Sequence, residues 1–242
     1  MSTISTDTSF GTPFAPPPLP FYNGQRMTAS ELLRRWEELP ELVRLRHKRT
    51  KIELLGGFIR MSPTSGGFHA SPEYDFHGAL AIYSWSTPGV VAGAPASIIL
   101  DEDNIPEPDA FMAIDPKHGG RIRFDEKGYI YGAPEFHGEI SASSVARDLG
   151  HKKEIYRRFG VNEYVVWRVK EKIIDWFVLR GEQYEPLPAP DGIYRSETFP
   201  GLWLAAPALV AGDYARVTQV LQEGLATPEH HMFVEKLAKQ RL

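Results

Sequence analysis

Two runs of apolar and aromatic residues, Asn162–Val169 and Lys172–Leu179, flank Lys170-Glu171 and read as an antiparallel strand pair. Ahead of them, Ser144–Phe159 carries helical spacing, and Glu135–Ser141 reads as an extended segment. Further extended segments are predicted at Gly89–Gly93, Ala96–Leu100 and Asp109–Ile114. A sheet of this content needs helices against it, so the order predicts one mixed α/β domain.

Upstream, Thr28-x-x-Glu31 is a capping box, and Leu32, Leu33, Trp36 and Leu39 follow at helical spacing up to Pro40. Ahead of it, residues 1–25 crowd Pro13, Pro16, Pro17, Pro18 and Pro20 among Ser and Thr, which predicts a flexible leader. Arg44, Arg46, Lys48, Arg49 and Lys51 form a basic run whose simplest reading is a solvated face. Lys51–Leu55 and Phe58–Met61 flank Gly56-Gly57, the signature of a tight hairpin. Ser71 as N-cap with Pro72 at the first helical position predicts a second helix to about Tyr83. After Phe199–Leu202 the pattern is helical around Asp213–Glu223 and Pro228–Lys239. The predicted organisation is a leader (1–25), a central domain (26–206) and a C-terminal helical extension (207–242).

Composition excludes several chemistries. With no cysteine among 242 residues there is no thiolate nucleophile and no cysteine-ligated zinc or iron–sulfur cluster. Twenty-seven basic against thirty-one acidic side chains give no global field toward nucleic acid or an anionic membrane, so such a partner requires a local patch. The sequence has no phosphate-binding P-loop, dinucleotide fingerprint, nucleophile elbow or zincin helix. The first basic residue is Arg26 and the apolar runs are short, so no membrane span or secretory signal is expected and the cytoplasm is the default location.

Three carboxylates stand where charge is expensive. Asp109 opens the apolar segment Ala110–Ile114, Glu139 lies beside Ile140 within another, and Glu53 interrupts Ile52 and Leu54. Each could instead face solvent by strand alternation. On the helix that follows Glu139, Asp148 and Lys152 share the sector of Leu149, Ile155, Tyr156 and Phe159. A buried lysine there should reach a carboxylate, phosphate or water; an i,i+4 pair with Asp148 is the alternative. The histidines show no ligand spacing.

Glu139–Ser144, Asp148, Lys152, Tyr156 and Gly160–Tyr164, preceded by Pro106–Asp109 and Ile52–Pro63 and followed by Phe199–Leu202, make the chain resemble the Uma-two restriction-endonuclease family from about Thr28 to Pro207. The resemblance implies a restriction-endonuclease-like core of the PD-(D/E)XK superfamily, with a mixed β-sheet flanked by helices. It also implies a catalytic set of Asp109, Glu139, Lys152 displaced from strand to helix, and Glu53 from the early strand. The sequence departs from the pattern at Ser141, where the strand lysine would stand, and at Gly56-Gly57-Phe58 in place of Asp-Gly-Glu.

On that footing Asp109, Glu139 and a strand carbonyl near Ile140 would hold Mg²⁺ or Mn²⁺, hard cations that prefer oxygen ligands. Arg147, Lys153 and Arg157, with the basic run, are candidates to meet DNA phosphates. The expected activity is metal-dependent hydrolysis of DNA by an endonuclease. The rival is an inactive nuclease-like scaffold that binds nucleic acid or a protein partner, and self-association through the C-terminal helices as a homodimer is a further expectation.

Overall fold

The computed structural model describes residues 19–47, 50–62 and 67–241. Residues 1–18 of the expected leader, and Lys48 and Arg49 of the basic run, lie outside the described residues. The described end of the leader is tied down: Phe21 is buried, and the Gly24 N–H donates to the Ile59 carbonyl at 2.9 Å.

Helix α1 (Ala29–Glu38) begins where the Thr28 hydroxyl accepts the Glu31 N–H at 3.2 Å, as the capping box requires. The first part of the basic run is a short helix, α2 (Glu41–His47). Strands β1 (Lys51–Leu55) and β2 (Phe58–Ser62) form the expected hairpin, with φ of +62° at Gly56 and +79° at Gly57. Two consecutive positive φ angles are the demand of a primed turn, which glycine meets without strain. Helix α3 (Gly67–Trp85) starts a turn earlier than Ser71, with Pro72 inside it. A proline this close to the helix start removes one ladder bond and leaves the later turns intact.

The remaining strands are β3 (Val90–Gly93), β4 (Ile98–Ile99), β5 (Ala110–Ile114), β6 (Arg123–Phe124), β7 (Ile130–Tyr131), β8 (Phe136–Ser141), β9 (Glu163–Arg168), β10 (Ile173–Arg180), β11 (Gln183–Pro186), β12 (Ile193–Arg195) and β13 (Trp203–Ala205). Six of them make a mixed sheet in the order β11-β10-β9-β8-β5-β3, in which β8 and β9 are parallel and the other neighbours antiparallel. The crossover from β8 to β9 runs through α4 (Val145–Arg147), a π-helical turn at Asp148–Lys152, and α5 (Lys153–Arg158). The parallel pair demands such a connection, since a tight turn cannot return a chain to run alongside itself. Helices α6 (Ala206–Ala211), α7 (Tyr214–Leu225) and α8 (Pro228–Lys239) follow.

Alternation along β8 and β9 assigns the two sheet faces. Phe136, Ile140, Val165 and Trp167 join the main core with Phe76 and Tyr83 of α3, Leu209 of α6, Leu221 and Leu225 of α7, and Phe233 and Leu237 of α8. Tyr164 and Val166 face the other way, against Ile155 and Tyr156 of α5. The helices beyond residue 207 therefore supply one wall of the principal core. On β8, Gly138 lets α3 approach: a Cβ there would come within 2.6 Å of the Phe76 ring.

Glu163, fully buried at the start of β9, fastens the strand pair to the loop before Phe199. Its carboxylate accepts from Trp176 Nε1 and Ser196 Oγ, each at 2.9 Å, and from the Glu197 and Thr198 N–H groups, each at 2.7 Å. Glu163→Ala strands those donors and is expected to lower the unfolding free energy by about 3 kcal/mol, measured by urea denaturation.

Candidate functional site

The odd positions of β8 turn His137, Glu139 and Ser141 toward the crossover helix, opposite the face that carries Phe136 and Ile140. Asp109 stands one residue before β5, and its Oδ2 accepts the Ile140 N–H at 2.7 Å, which fixes that carboxylate beside Glu139. On β1 the same two-residue period places Lys51 and Glu53 on one face. The backbone N–H of Glu107 donates to Glu53 Oε1 at 3.0 Å and holds that side chain toward the same centre.

Lys152, in the π-helical turn, closes the group from above. Its ammonium lies 2.8 Å from Glu53 Oε1 and 2.5 Å from Glu139 Oε1 and has no solvent exposure. The Tyr156 hydroxyl donates to the same Glu139 oxygen at 2.9 Å. Asp148 takes hydrogen bonds from the Ser141 and Ser144 hydroxyls rather than pairing with Lys152. The wider π turn brings both buried residues onto the strand side, a local irregularity common at functional sites.

Glu53, Asp109, Glu139 and Lys152 thus converge from four separate segments. Ile140 meets Asp109 through its N–H. A fifth group, Lys51, was counted by sequence reasoning in the basic run; its ammonium lies 2.8 Å from Asp109 Oδ1 and 4.0 Å from Glu139 Oε2. The signal was available, because strand alternation that turns Glu53 inward turns Lys51 inward too. Arg147 is next to this cluster, with Nε 3.4 Å from Asp148 Oδ1. Lys153 and Arg157 point elsewhere. The Lys153 ammonium sits 3.2 Å from the Phe177 ring centre, and Arg157 is occupied by Glu154 at 2.7 Å and by the Glu182 carbonyl.

Burial dominates the electrostatics. It pushes the Glu139 carboxyl up to about 8, with Asp109 and Asp148 adding to the shift and Lys152 and Lys51 opposing it. Burial also acts against Glu53, but Lys152 and Lys51 outweigh it and hold that carboxyl below its ordinary value. Both lysines are held above the usual ammonium range, because Glu139 and Glu53 outweigh their desolvation. His137, fully buried with its ring 4.3 Å from that of Tyr156, is pushed well down by burial, with Lys152 and Arg121 adding to the shift, and stays neutral.

The donor set is all oxygen and suits a hard cation. Asp109 Oδ1 and Glu139 Oε2 face one point, and Glu53 Oε2 is buried with no hydrogen-bond partner. Among the described residues no group of three or more Asp, Glu, His or Cys side chains is disposed to hold a metal. No helix among the described residues is long and apolar enough to cross a membrane.

A family model described as "Uma2: Putative restriction endonuclease" matches residues 36–207. A search of curated proteins finds no match. Among solved structures, the chain is similar to one from Anabaena variabilis ATCC 29413 described as "a putative nuclease belonging to DUF820". The TM-score is 0.53 at 17% identity, over 82% of this chain and 99% of that one. At that identity the likeness speaks for the fold, a mixed sheet flanked by helices.

Proposed function

Since the chain belongs to the Uma2 family, we propose that it is a divalent-metal-dependent phosphodiesterase that cleaves DNA internally at the cluster of Asp109, Glu139, Glu53 and Lys152. The observation that carries this reading is the convergence of Asp109 and Glu139 within reach of one point, 30 residues apart in sequence and locked side by side by the Ile140 N–H. Asp109 and Glu139 would hold Mg²⁺ or Mn²⁺, which when bound lowers the pKa of its water and offsets charge on the scissile phosphate.

The protein's own groups do the rest. Ile140 N–H and the Tyr156 hydroxyl fix the two carboxylates, so little reorganisation is needed when substrate arrives. Lys152 neutralises Glu53 and one oxygen of Glu139 and keeps the other directed at the cation seat. Arg147, about one-third exposed at the edge of the cluster, is the basic side chain best placed to meet a backbone phosphate.

Incubation of the purified protein with plasmid and oligonucleotide DNA in Mg²⁺ or Mn²⁺ tests the reading. Asp109→Asn keeps the shape but removes the charge, and is expected to reduce cleavage by at least about 100-fold. Absence of cleavage on every DNA form, with salt-sensitive binding that is indifferent to Asp109→Asn, would instead establish the inactive scaffold. The Lys51–Asp109 ion pair is the observation that favours that second reading.

A further inference from the structure

We infer that Lys51 is a tethered counter-ion that holds the seat of the divalent cation and must swing out before a metal enters. The inference rests on the nuclease reading and adds a competitor within the same chain.

The two lysines of the site divide the carboxylate oxygens between them. Lys152 pairs with Glu53 Oε1 and Glu139 Oε1, the inner oxygens, and has no exposed surface. Lys51 faces Asp109 Oδ1 and Glu139 Oε2, the outer oxygens, and its side chain keeps 18% of its surface exposed. Only Lys51 has a path to solvent. Its four-carbon stem lets the ammonium move while the backbone stays paired, Lys51 opposite Ser62 in the hairpin.

Departure of Lys51 does not strand Glu53 on the same strand, because Lys152 remains beside it. It does take one counter-charge from Asp109 and Glu139, adjacent and mostly buried carboxylates, and so raises the demand there for a cation of higher charge. A divalent ion answers that demand with twice the charge of the ammonium it replaces. Metal affinity without substrate is accordingly reduced by the cost of displacing Lys51. The displaced ammonium is left at the mouth of the site, where a DNA phosphate recovers its lost ion pair, so metal and DNA strengthen each other's binding.

Titration of the full chain with Mn²⁺, without DNA and with free ion followed by electron paramagnetic resonance, tests this. Lys51→Met is expected to bind Mn²⁺ at least about tenfold more tightly than wild type, Lys51→Arg to remain weak, and Asp109→Asn to lose binding. Lys51→Gln, which retains a donor for Asp109, is the second variant should Lys51→Met fail to fold. Unchanged or weaker binding in the Lys51→Met or Lys51→Gln protein, with wild type binding and Asp109→Asn not, overturns the counter-ion role and leaves the nuclease reading standing. No Mn²⁺ binding by wild type or by either Lys51 variant overturns both.

Discussion

Lys152→Met is expected to lower the unfolding free energy by about 3–5 kcal/mol, because removing one partner of a buried ionic group leaves the others uncompensated. Lys152 has no exposed surface and stands between Glu53 and Glu139, which are themselves buried, so no water can take its place cheaply. The deficit should depend on pH. Glu139 already sits at about 8 through burial, and loss of Lys152 pushes both carboxyls further up. A carboxyl whose folded-state pKa lies above its unfolded value contributes stability at low pH that is lost as pH rises from about 4.5 through the folded value. The variant's deficit should therefore be smaller near pH 5 than near pH 8, and keep growing as pH passes the raised folded-state values. Urea denaturation at those two pH values measures it. Adding Glu139→Gln should restore part of the loss at pH 8 by removing one stranded charge, and equal deficits at both pH values would contradict the assignment.

A chain ending at Ala206 should not fold. The helices it lacks carry Leu209, Leu221, Leu225, Phe233 and Leu237, all buried against α3 and the sheet. Truncating one buried leucine to alanine typically costs 2–5 kcal/mol, so deleting five large side chains exceeds the 5–15 kcal/mol that stabilises an ordinary domain. Near-ultraviolet circular dichroism and the cooperativity of thermal unfolding provide the measurement: a cooperative transition like that of the full chain would show that the helices are dispensable. For the same reason, a test of self-association by removing them would report unfolding. Point changes on exposed positions of α8, such as Met232, are the better route.

The strand pair Glu163–Arg168 with Ile173–Arg180, the capped helix after Thr28, the Gly56-Gly57 hairpin and both C-terminal helices follow local rules, and the structure has them where the spacing put them. The side of the site that depends on single alternating strands was equally legible: Glu139 inside an apolar run and Lys152 on an apolar helix face each signalled a buried charge in need of a partner. Two-residue strands such as β6 and β7 left no periodic trace, since their pairing is set by distant neighbours. Lys51 was hidden by company. Set among Arg44, Arg46, Lys48 and Arg49 it reads as surface charge, and only its phase relative to Glu53 separates it from them. The π-helical turn was invisible for a different reason: one extra residue in a turn leaves the hydrophobic spacing almost unchanged.

The β1–β2 hairpin lies outside the six-stranded sheet, as a two-stranded unit held by backbone bonds to Gly24, Gln25, Met27, Asp103 and Ile105, by the burial of Leu54, Leu55 and Ile59, and by the ions of Lys51 and Glu53. Undocking it would remove Lys51 and Glu53, two of the five charged groups, at once, and would open the clusters that bury Leu54, Leu55 and Ile59. Two-fifths of the charged cluster thus rides on one hairpin, and the rest on the main sheet and its crossover. Assembly of the site and docking of the hairpin are one equilibrium, and whatever ligates the charged cluster also slows the breathing of a segment far ahead of it in sequence.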